Sequence, residues 1–82
     1  MIQVLFLAQL REQLGVAELQ VGADSVVSIE TLKDYLVVNH PHWEQFLSNS
    51  KLLVAVNHQY VKTDVAIASG DEVAFFPPVT GG

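Results

Sequence analysis

The 82-residue chain contains no cysteine and few positive charges. Without cysteine it can form no disulfide, no zinc–thiolate site and no thiol nucleophile. Because the basic residues stand singly, no basic patch is available to neutralise phosphates, and we expect no nucleic-acid partner. They are Arg11, Lys33, Lys51 and Lys62. The net charge of −5 suits a basic partner surface instead.

Long hydrophobic runs are also missing. No apolar stretch approaches the ~20 residues that a membrane helix needs, so we expect no membrane association. Residues 1–8 are apolar but lack a basic leader and a small-residue cleavage site, which favours a strand over a signal peptide. We therefore expect one small cytoplasmic domain, whose apolar fraction of 50% can form a core without metal or disulfide.

Signatures of catalysis are absent as well. The serines lack the glycines of a nucleophile elbow, and no glycine-rich loop precedes a helix to bind phosphate. The three histidines, His40, His42 and His58, have no carboxylate or thiolate at ligand spacing, so we predict no metal site. Asp71 and Glu72 are adjacent in a strand, where neighbouring side chains point to opposite faces, so they predict no carboxylate dyad.

Periodicity predicts five strands and one main helix. Apolar alternation or short apolar runs indicate strands at residues 2–8, 17–22, 52–56, 60–62 and 72–76. Ile29, Leu32 and Leu36 form a helical stripe that Ser28 can cap and Pro41 ends. Shorter helical pieces are predicted at residues 8–14, stopped by Gly15, and at residues 42–48. We predict a two-residue hairpin turn at 57–58.

This order predicts an α+β fold of the β-grasp type. The main helix crosses one face of a mixed sheet, and the two long terminal strands lie parallel at its centre. We assign residues 1–76 to the domain and residues 77–82 to an extended C-terminal tail.

One face of this sheet is predicted to lack cover. Alternation directs Val4, Phe6, Val73 and Phe75 towards the helix, and leaves another apolar set on the opposite face: Leu5, Leu7, Ala74 and Phe76, with Tyr60 nearby. Such a patch is a docking surface unless residues 62–70 or 42–48 cover it. We favour docking, because the tail leaves from the same face.

The tail is the feature that folding does not explain. Pro77 and Pro78 fix φ and remove donors, so the strand ladder ends and the chain continues as a stiff stalk. Gly81 and Gly82 offer no side chain to pack, but a glycine end with a free carboxylate can enter a narrow tunnel. Activation, for example as a mixed anhydride with AMP, makes that carboxylate reactive, and any sulfur must come from outside.

Three segments carry a resemblance to a known family. Residues 70–82, Gly-Asp-Glu-Val-Ala-Phe-Phe-Pro-Pro-Val-Thr-Gly-Gly, resemble the C-terminal signature of the small subunit of molybdopterin synthase. Residues 2–12 and 51–57 are similar to the family's first strand and helix and to its central hairpin. The resemblance spans nearly the whole chain, and the Phe-Phe-Pro-Pro ending is specific where Gly-Gly alone is weak.

The resemblance implies a ubiquitin-like β-grasp sulfur carrier that is not catalytic on its own and binds no cofactor. An E1-like enzyme adenylates the C-terminal glycine with ATP, and sulfur delivery then gives a thiocarboxylate. The tail is threaded into the large catalytic subunit of a heterotetramer. There, two sulfur transfers convert cyclic pyranopterin monophosphate to the molybdopterin dithiolene, a step of molybdenum cofactor biosynthesis.

Carried onto this chain, the resemblance assigns the sulfur to Gly82. It also implies that Gly81, which has no side chain, lets the end of the tail pass through a narrow channel. The rest of the tail contacts the partner, and a docking patch is expected on the sheet. These residues are Pro77, Pro78, Val79 and Thr80 in the tail, and Leu7, Tyr60, Phe76 and Arg11 for the patch. Family members often have Phe at the position of Leu7 and Leu at that of Tyr60, and both differences keep apolar character.

Three other readings remain open at this stage. The sulfur carrier of thiamine thiazole synthesis has the same fold and a Gly-Gly end, but lacks the Phe-Phe-Pro-Pro segment. A ubiquitin-like modifier would join its tail to target lysines. A plain β-grasp interaction domain would have an inert tail.

Overall fold

The computed structural model describes residues 1–24 and 26–78. It contains five strands, three α-helices and a short 3₁₀ turn within these residues. In chain order they are β1 (Ile2–Phe6), α1 (Ala8–Leu14), β2 (Glu18–Val21), α2 (Ile29–Asn39), the 3₁₀ turn (Pro41–Trp43), α3 (Glu44–Leu47), β3 (Leu53–Val56), β4 (Gln59–Val61) and β5 (Glu72–Phe76).

The strands form one mixed sheet in the order β2-β1-β5-β3-β4. The terminal strands β1 and β5 are parallel neighbours near the centre, and every other pairing is antiparallel. A parallel pair cannot be joined by a tight turn, and here the chain between its two strands includes the α2 crossover. The predicted β-grasp arrangement is confirmed.

The core lies between the sheet and α2. Val4, Phe6, Val73 and Phe75 are fully buried on the sheet side, and α2 contributes Ile29, Leu32 and Leu36. Burial of each such side chain stabilises the fold by roughly 1.5–3 kcal/mol. The Trp43 ring packs edge-on against Phe6, with centroids 5.3 Å apart, and closes one end of this core.

The helix boundaries follow the predicted signals. Ser28 caps α2 by accepting a hydrogen bond from the Thr31 backbone N–H, and Thr31 returns the contact in a capping box. Pro41 follows the end of α2 and starts the 3₁₀ turn. Gly15 ends α1 with φ of 77°, a left-handed conformation that glycine adopts without a steric cost.

Four of the five predicted strands have different bounds in the structure. β2 is shorter than predicted by one residue at each end, and β3 begins one residue later than predicted. We expected the first strand to reach residue 8, but β1 ends at Phe6 because Ala8 has φ of 55° and turns the chain into α1. Asn57 and His58 form the predicted two-residue turn, both with positive φ. This turn brings Gln59 into the ladder opposite Val56, so β4 begins one residue earlier than predicted.

The segment between β4 and β5 packs on the helix side of the sheet. Ile29 N–H donates to the carbonyl of Val65, Ile67 N–H donates to that of Val27, and Ile67 is buried. Trp43 and Leu47, from the other segment that we considered as cover, also enter the core on this side. Neither segment covers the opposite face of the sheet.

Candidate functional site

The sheet face that points away from α2 carries a continuous apolar surface. In the register, Leu5 lies beside Ala74, Ala74 beside Ala55, and Ala55 beside Tyr60, so one row crosses four strands. A second row contains Leu53 and Phe76, which are paired, with Leu7 following the end of β1. We call this surface the outer patch: Leu5, Leu7, Leu53, Ala55, Tyr60, Ala74 and Phe76.

The large side chains of the outer patch are available for contact. Tyr60 is 72% exposed and Leu7 is 42% exposed, although both are mainly apolar. The Tyr60 ring lies 5.6 Å from the ring of Phe76, which is half-buried. Exposed apolar side chains that touch one another are typical of a protein-binding surface. The structure thus places Leu7, Tyr60 and Phe76, three of the four residues that we predicted for the docking patch, on the same face of the sheet.

Polar side chains border the outer patch on the β2 side. The side-chain amide of Gln3 donates to Glu18 Oε2 at 2.9 Å, and Gln20 donates to Gln3 Oε1 at 3.3 Å. At the hairpin end, His58 Nε2 lies 3.5 Å from Glu72 Oε2. An apolar centre with a polar rim has the anatomy of a protein–protein interface.

Arg11, the fourth residue that we predicted for docking, lies outside the outer patch. It is exposed on α1, the helix that begins immediately after Leu7. None of the contacts among the described residues joins its side chain to the outer patch. Its role in docking stays a prediction.

Leu53 and Ala55 belong to the outer patch but were missed as site residues. Residues 52–56 form an unbroken apolar run, which predicts burial on both faces and gives no alternation to separate them. Pairing with Phe76 and Ala74 assigns their face, and that pairing is visible only in the folded sheet.

A polar network that the sequence did not predict anchors the start of β5. Asn57 Nδ2 donates to Asp71 Oδ1 at 3.1 Å, and Asn57 Oδ1 accepts from Glu72 N–H at 2.9 Å. Asp71 Oδ2 also accepts from Ala68 N–H at 2.9 Å. The Ala68 N–H, and after it the Asn57 amide, stabilise the charged carboxylate and lower the pKa of Asp71 below its ordinary value.

This network gives Asp71 and Glu72 structural roles. Asp71 joins the turn before β5 to the β3–β4 hairpin, and Glu72 starts the strand beside His58. Together they fix the position of the strand that leads to the tail.

The C-terminal arm begins at the patch itself. β5 is held between β1 and β3, and its last residue, Phe76, is part of the outer patch. Pro77 and Pro78 follow it and are half-buried. Since proline cannot donate to a ladder, the sheet ends here and the chain leaves beside the patch. Four predicted site residues lie outside the described part of the chain: Val79, Thr80, Gly81 and Gly82.

Neither a metal-binding cluster nor a membrane-spanning helix is found among the residues that the structure describes. In residues 1–24 and 26–78 no three histidine, aspartate or glutamate side chains are grouped so that they could hold a metal ion. Over the same residues, no helix is long and apolar enough to cross a membrane.

These features define a β-grasp protein with an exposed apolar face beside the end of β5. The profile of the ThiS family matches residues 4–82. The chain is 46% identical to the molybdopterin synthase sulfur carrier subunit of Escherichia coli and 43% identical to that of Haemophilus influenzae. Both comparisons cover 82 residues and the full length of each protein.

A solved structure gives the same result for the fold. SAMP1 from Haloferax volcanii, with 31% identity, superposes with a TM-score of 0.80 over 99% of this chain and 98% of that one. The chain therefore belongs to the ThiS family and, within it, to the molybdopterin synthase sulfur carrier subunits.

Proposed function

We propose that this chain carries sulfur to molybdopterin synthase as a thiocarboxylate on Gly82. The observation that carries the proposal is the full-length identity of 46% to a protein named as that synthase's sulfur carrier subunit. The sequence ending supports it, because residues 75–82 read Phe-Phe-Pro-Pro-Val-Thr-Gly-Gly. A terminal glycine has no Cβ, so the approach to its carboxyl carbon is open.

The chemistry begins with activation of a poor electrophile. In an E1-like enzyme, the Gly82 carboxylate attacks the α-phosphorus of ATP, and pyrophosphate leaves. Sulfur delivered at the oxidation level of hydrosulfide then attacks the acyl carbon and displaces AMP, which leaves a thiocarboxylate. This group is a soft anionic nucleophile at neutral pH, for the same reason that thiolates react where thiols do not.

The chain's own residues position this group rather than catalyse. Residues 77–82 contain no acid, base or thiol side chain, so partners must supply proton transfer and the acceptor. Pro77 and Pro78 stiffen the arm, and six residues span at most about 20 Å at roughly 3.3–3.6 Å per residue. We propose that Val79, Thr80 and Gly81 pass through the entry of the large subunit's active site. There, cyclic pyranopterin monophosphate receives the sulfur.

The outer patch is the proposed contact with the large catalytic subunit of a heterotetramer. Leu7, Tyr60 and Phe76 supply exposed apolar surface next to the origin of the arm. Docking there would aim the tail, because β5 joins the patch to Pro77 without an intervening loop. We assign Arg11 to the edge of the same contact.

Intact-mass spectrometry tests the sulfur transfer. The chain is co-expressed with its E1-like enzyme and a sulfur source, purified and weighed. We expect the mass to rise by the difference between one sulfur and one oxygen atom, and tandem spectra to place the change on Gly82. Deletion of Gly82 is the matched control. An unchanged mass in the presence of an active E1-like enzyme would contradict the proposal.

A protein modifier is the second candidate. It is favoured by the structural likeness to SAMP1, a small archaeal modifier protein. The same acyl adenylate, attacked by a lysine amine instead of sulfur, gives an isopeptide bond. Covalent ladders on cellular proteins that need Gly82 would support this activity. A sulfur carrier for thiamine thiazole synthesis would instead restore thiazole formation in cells that lack their own thiazole sulfur carrier. An inert domain would neither form covalent ladders nor restore thiazole formation.

A further inference from the structure

Tyr60 reaches across the sheet from its edge. It lies on β4, the last strand in the sheet order, whereas Phe76 lies two strands away on β5. Tyr60 pairs with Ala55 on β3, and Ala55 pairs with Ala74 on β5. Phe76 follows Ala74 by two residues. Two strand spacings and two residues of rise therefore separate the backbones of Tyr60 and Phe76 by roughly 12 Å.

The two side chains close more than half of this separation. The ring centroids of Tyr60 and Phe76 are 5.6 Å apart, so the rings lean towards each other across β3. Ala55, the cross-strand neighbour of Tyr60, has only a methyl group and leaves room for this contact. The Tyr60 hydroxyl is thus held near the Phe76 ring, at the residue after which the C-terminal arm begins.

This hydroxyl is the only polar side-chain group in the outer patch. The other six members have hydrocarbon side chains: Leu5, Leu7, Leu53, Ala55, Ala74 and Phe76. Tyr60 is 72% exposed, so water can reach its hydroxyl while the face is open. None of the side-chain hydrogen bonds within residues 1–24 and 26–78 involves this hydroxyl. Burial of a hydroxyl without a partner costs free energy, so whatever covers it must replace the water.

The short arm determines what covers the hydroxyl. Residues 77–82 span at most about 20 Å at roughly 3.3–3.6 Å per residue. A protein that draws the end of the arm into its active site must come within that distance of Phe76. The outer patch is the apolar surface that it meets there, and Tyr60 and Phe76 are its aromatic residues. Aromatic side chains of this kind are enriched in the buried centre of interfaces.

We propose that the Tyr60 hydroxyl donates a hydrogen bond to a carbonyl or carboxylate oxygen of the large catalytic subunit, beside the entry that receives the arm. An oxygen acceptor is expected because a buried O–H group must donate to be satisfied. The contact rests on the proposed function, since it requires that subunit to dock on the outer patch. It makes Tyr60 a specificity residue, because a large subunit with an apolar group at the facing position would leave the hydroxyl unpaired and bind less tightly.

Titration calorimetry with the purified large subunit tests this contact. Tyr60→Phe keeps the ring beside Phe76 and removes only the hydroxyl. We expect it to weaken binding about tenfold, because the acceptor is left buried without a donor, and to leave the melting temperature unchanged. Tyr35→Phe is the matched control. Tyr35 is the chain's other tyrosine and lies on α2, on the opposite side of the sheet, so loss of its hydroxyl should not change the affinity.

Nuclear magnetic resonance reports the hydrogen bond directly. A chain with ¹³C-labelled tyrosine gives two Cζ signals, which Tyr60→Phe assigns. Addition of the large subunit should shift the Tyr60 signal and leave the Tyr35 signal in place.

The outcomes separate this contact from the proposed function. Equal affinities of Tyr60→Phe and the wild type, or a Tyr60 signal that does not shift in the complex, would overturn the contact and leave the proposed function intact. Absence of wild-type binding would overturn both. A Tyr60 shift that depends on the chain's own concentration would assign the hydroxyl to a second copy, and an effect of Tyr60→Phe confined to the E1-like enzyme would assign it to that protein. Either result would also overturn the contact.

Discussion

Ala8 is where the backbone bends from the sheet into α1, directly beside the outer patch. Its φ of 55° lies in the left-handed region, which costs a residue with a Cβ roughly 1–2 kcal/mol. Two contacts hold it there. Leu7 N–H donates to the Phe75 carbonyl at 3.0 Å before the bend, and Leu10 is buried in the core after it. The surrounding fold therefore imposes this conformation, which leaves Leu7 at the sheet surface.

We expect Ala8→Gly to stabilise the protein. Glycine adopts positive φ without the steric cost, and the gain should exceed its loss of unfolded-state entropy, giving about 0.5–1 kcal/mol. For a domain of this size that corresponds to a melting temperature higher by about 2–8 °C, measured by calorimetry. Ala17→Gly, at an exposed residue without positive φ, is the control and should be neutral or destabilising. Destabilisation by Ala8→Gly would show that the bend is not strained.

The charge state of Asp71 affects the anchoring of the β3–β4 hairpin. Its folded pKa is lowered by the hydrogen bonds from Ala68 N–H and the Asn57 amide. The charged form is therefore favoured in the folded state. This contribution is fully present above the unfolded pKa and is lost as the pH falls through the lowered folded pKa.

We expect stability to fall below about pH 4 in part because Asp71 becomes protonated. The measurement is the urea midpoint across an acid series, with the Asp71 carboxyl followed by magnetic resonance. Asp71→Asn should have a smaller acid dependence than the wild type, while Asp24→Asn should retain it. A wild-type slope that survives in Asp71→Asn would assign the effect to other carboxylates.

At the scale of elements, the sequence predicts structure well where a local pattern is compatible with only one conformation, as in strand alternation and helix ends. Alternation in β1 and β5 assigned Val4, Phe6, Val73 and Phe75 to the core face, and the structure buries all four. Ser28 and Pro41 marked the ends of α2, because capping and ring sterics are local effects.

Prediction fails where a residue's role depends on a distant partner. The face of Leu53 and Ala55 is set by pairing with β5, and the Asn57–Asp71 bond joins residues that are far apart in the sequence. The strain at Ala8 has no local signal either, since alanine favours an ordinary helix. The chemistry of Gly82 has no local signal beyond the shape of a glycine end, so its assignment depends on resemblance to a known family.

At the N-terminal cap of α2, Ser28 and Thr31 form one capping box but make different numbers of hydrogen bonds. Thr31 Oγ1 accepts from the N–H groups of Val27 and Ser28 at 3.0 and 2.9 Å, and donates to the Ser28 carbonyl at 3.0 Å. The Ser28 hydroxyl accepts one longer bond, from Thr31 N–H at 3.3 Å. The third residue of the helix thus contributes more bonds than the capping residue.

We expect Thr31→Val to destabilise by about 2 kcal/mol and Ser28→Ala by about 1 kcal/mol or less. Valine keeps the shape of threonine, so the difference reports the lost hydrogen bonds. Urea unfolding of both variants measures it, with Ser50→Ala as the exposed control. The reverse order of the two losses would mean that the conventional cap dominates.

At the scale of the whole molecule, the outer patch and the arm act as one unit. Phe76→Asp should weaken binding to the large subunit by at least about tenfold, because a charge would be desolvated at the centre of the contact. Val27→Asp is the matched control, since Val27 is 63% exposed and lies away from the outer face. Titration calorimetry measures both affinities. Wild-type affinity in Phe76→Asp would exclude the outer patch as the docking surface.

The arm makes a separate prediction, because the fold and the chemistry occupy different parts of the chain. In the part of the chain that the structure describes, the core and the five strands lie within residues 2–76. Deletion of Gly82, or addition of one alanine after it, should therefore leave the melting temperature nearly unchanged. Both changes should abolish thiocarboxylate formation and molybdopterin production, since the first removes the reacting glycine and the second places a Cβ at the end that must enter the partner. Calorimetry, intact mass and cofactor assay are run on the same preparations. Full cofactor production with the extra alanine still attached, as shown by the mass, would mean that the terminal carboxylate of Gly82 is not the sulfur-bearing group.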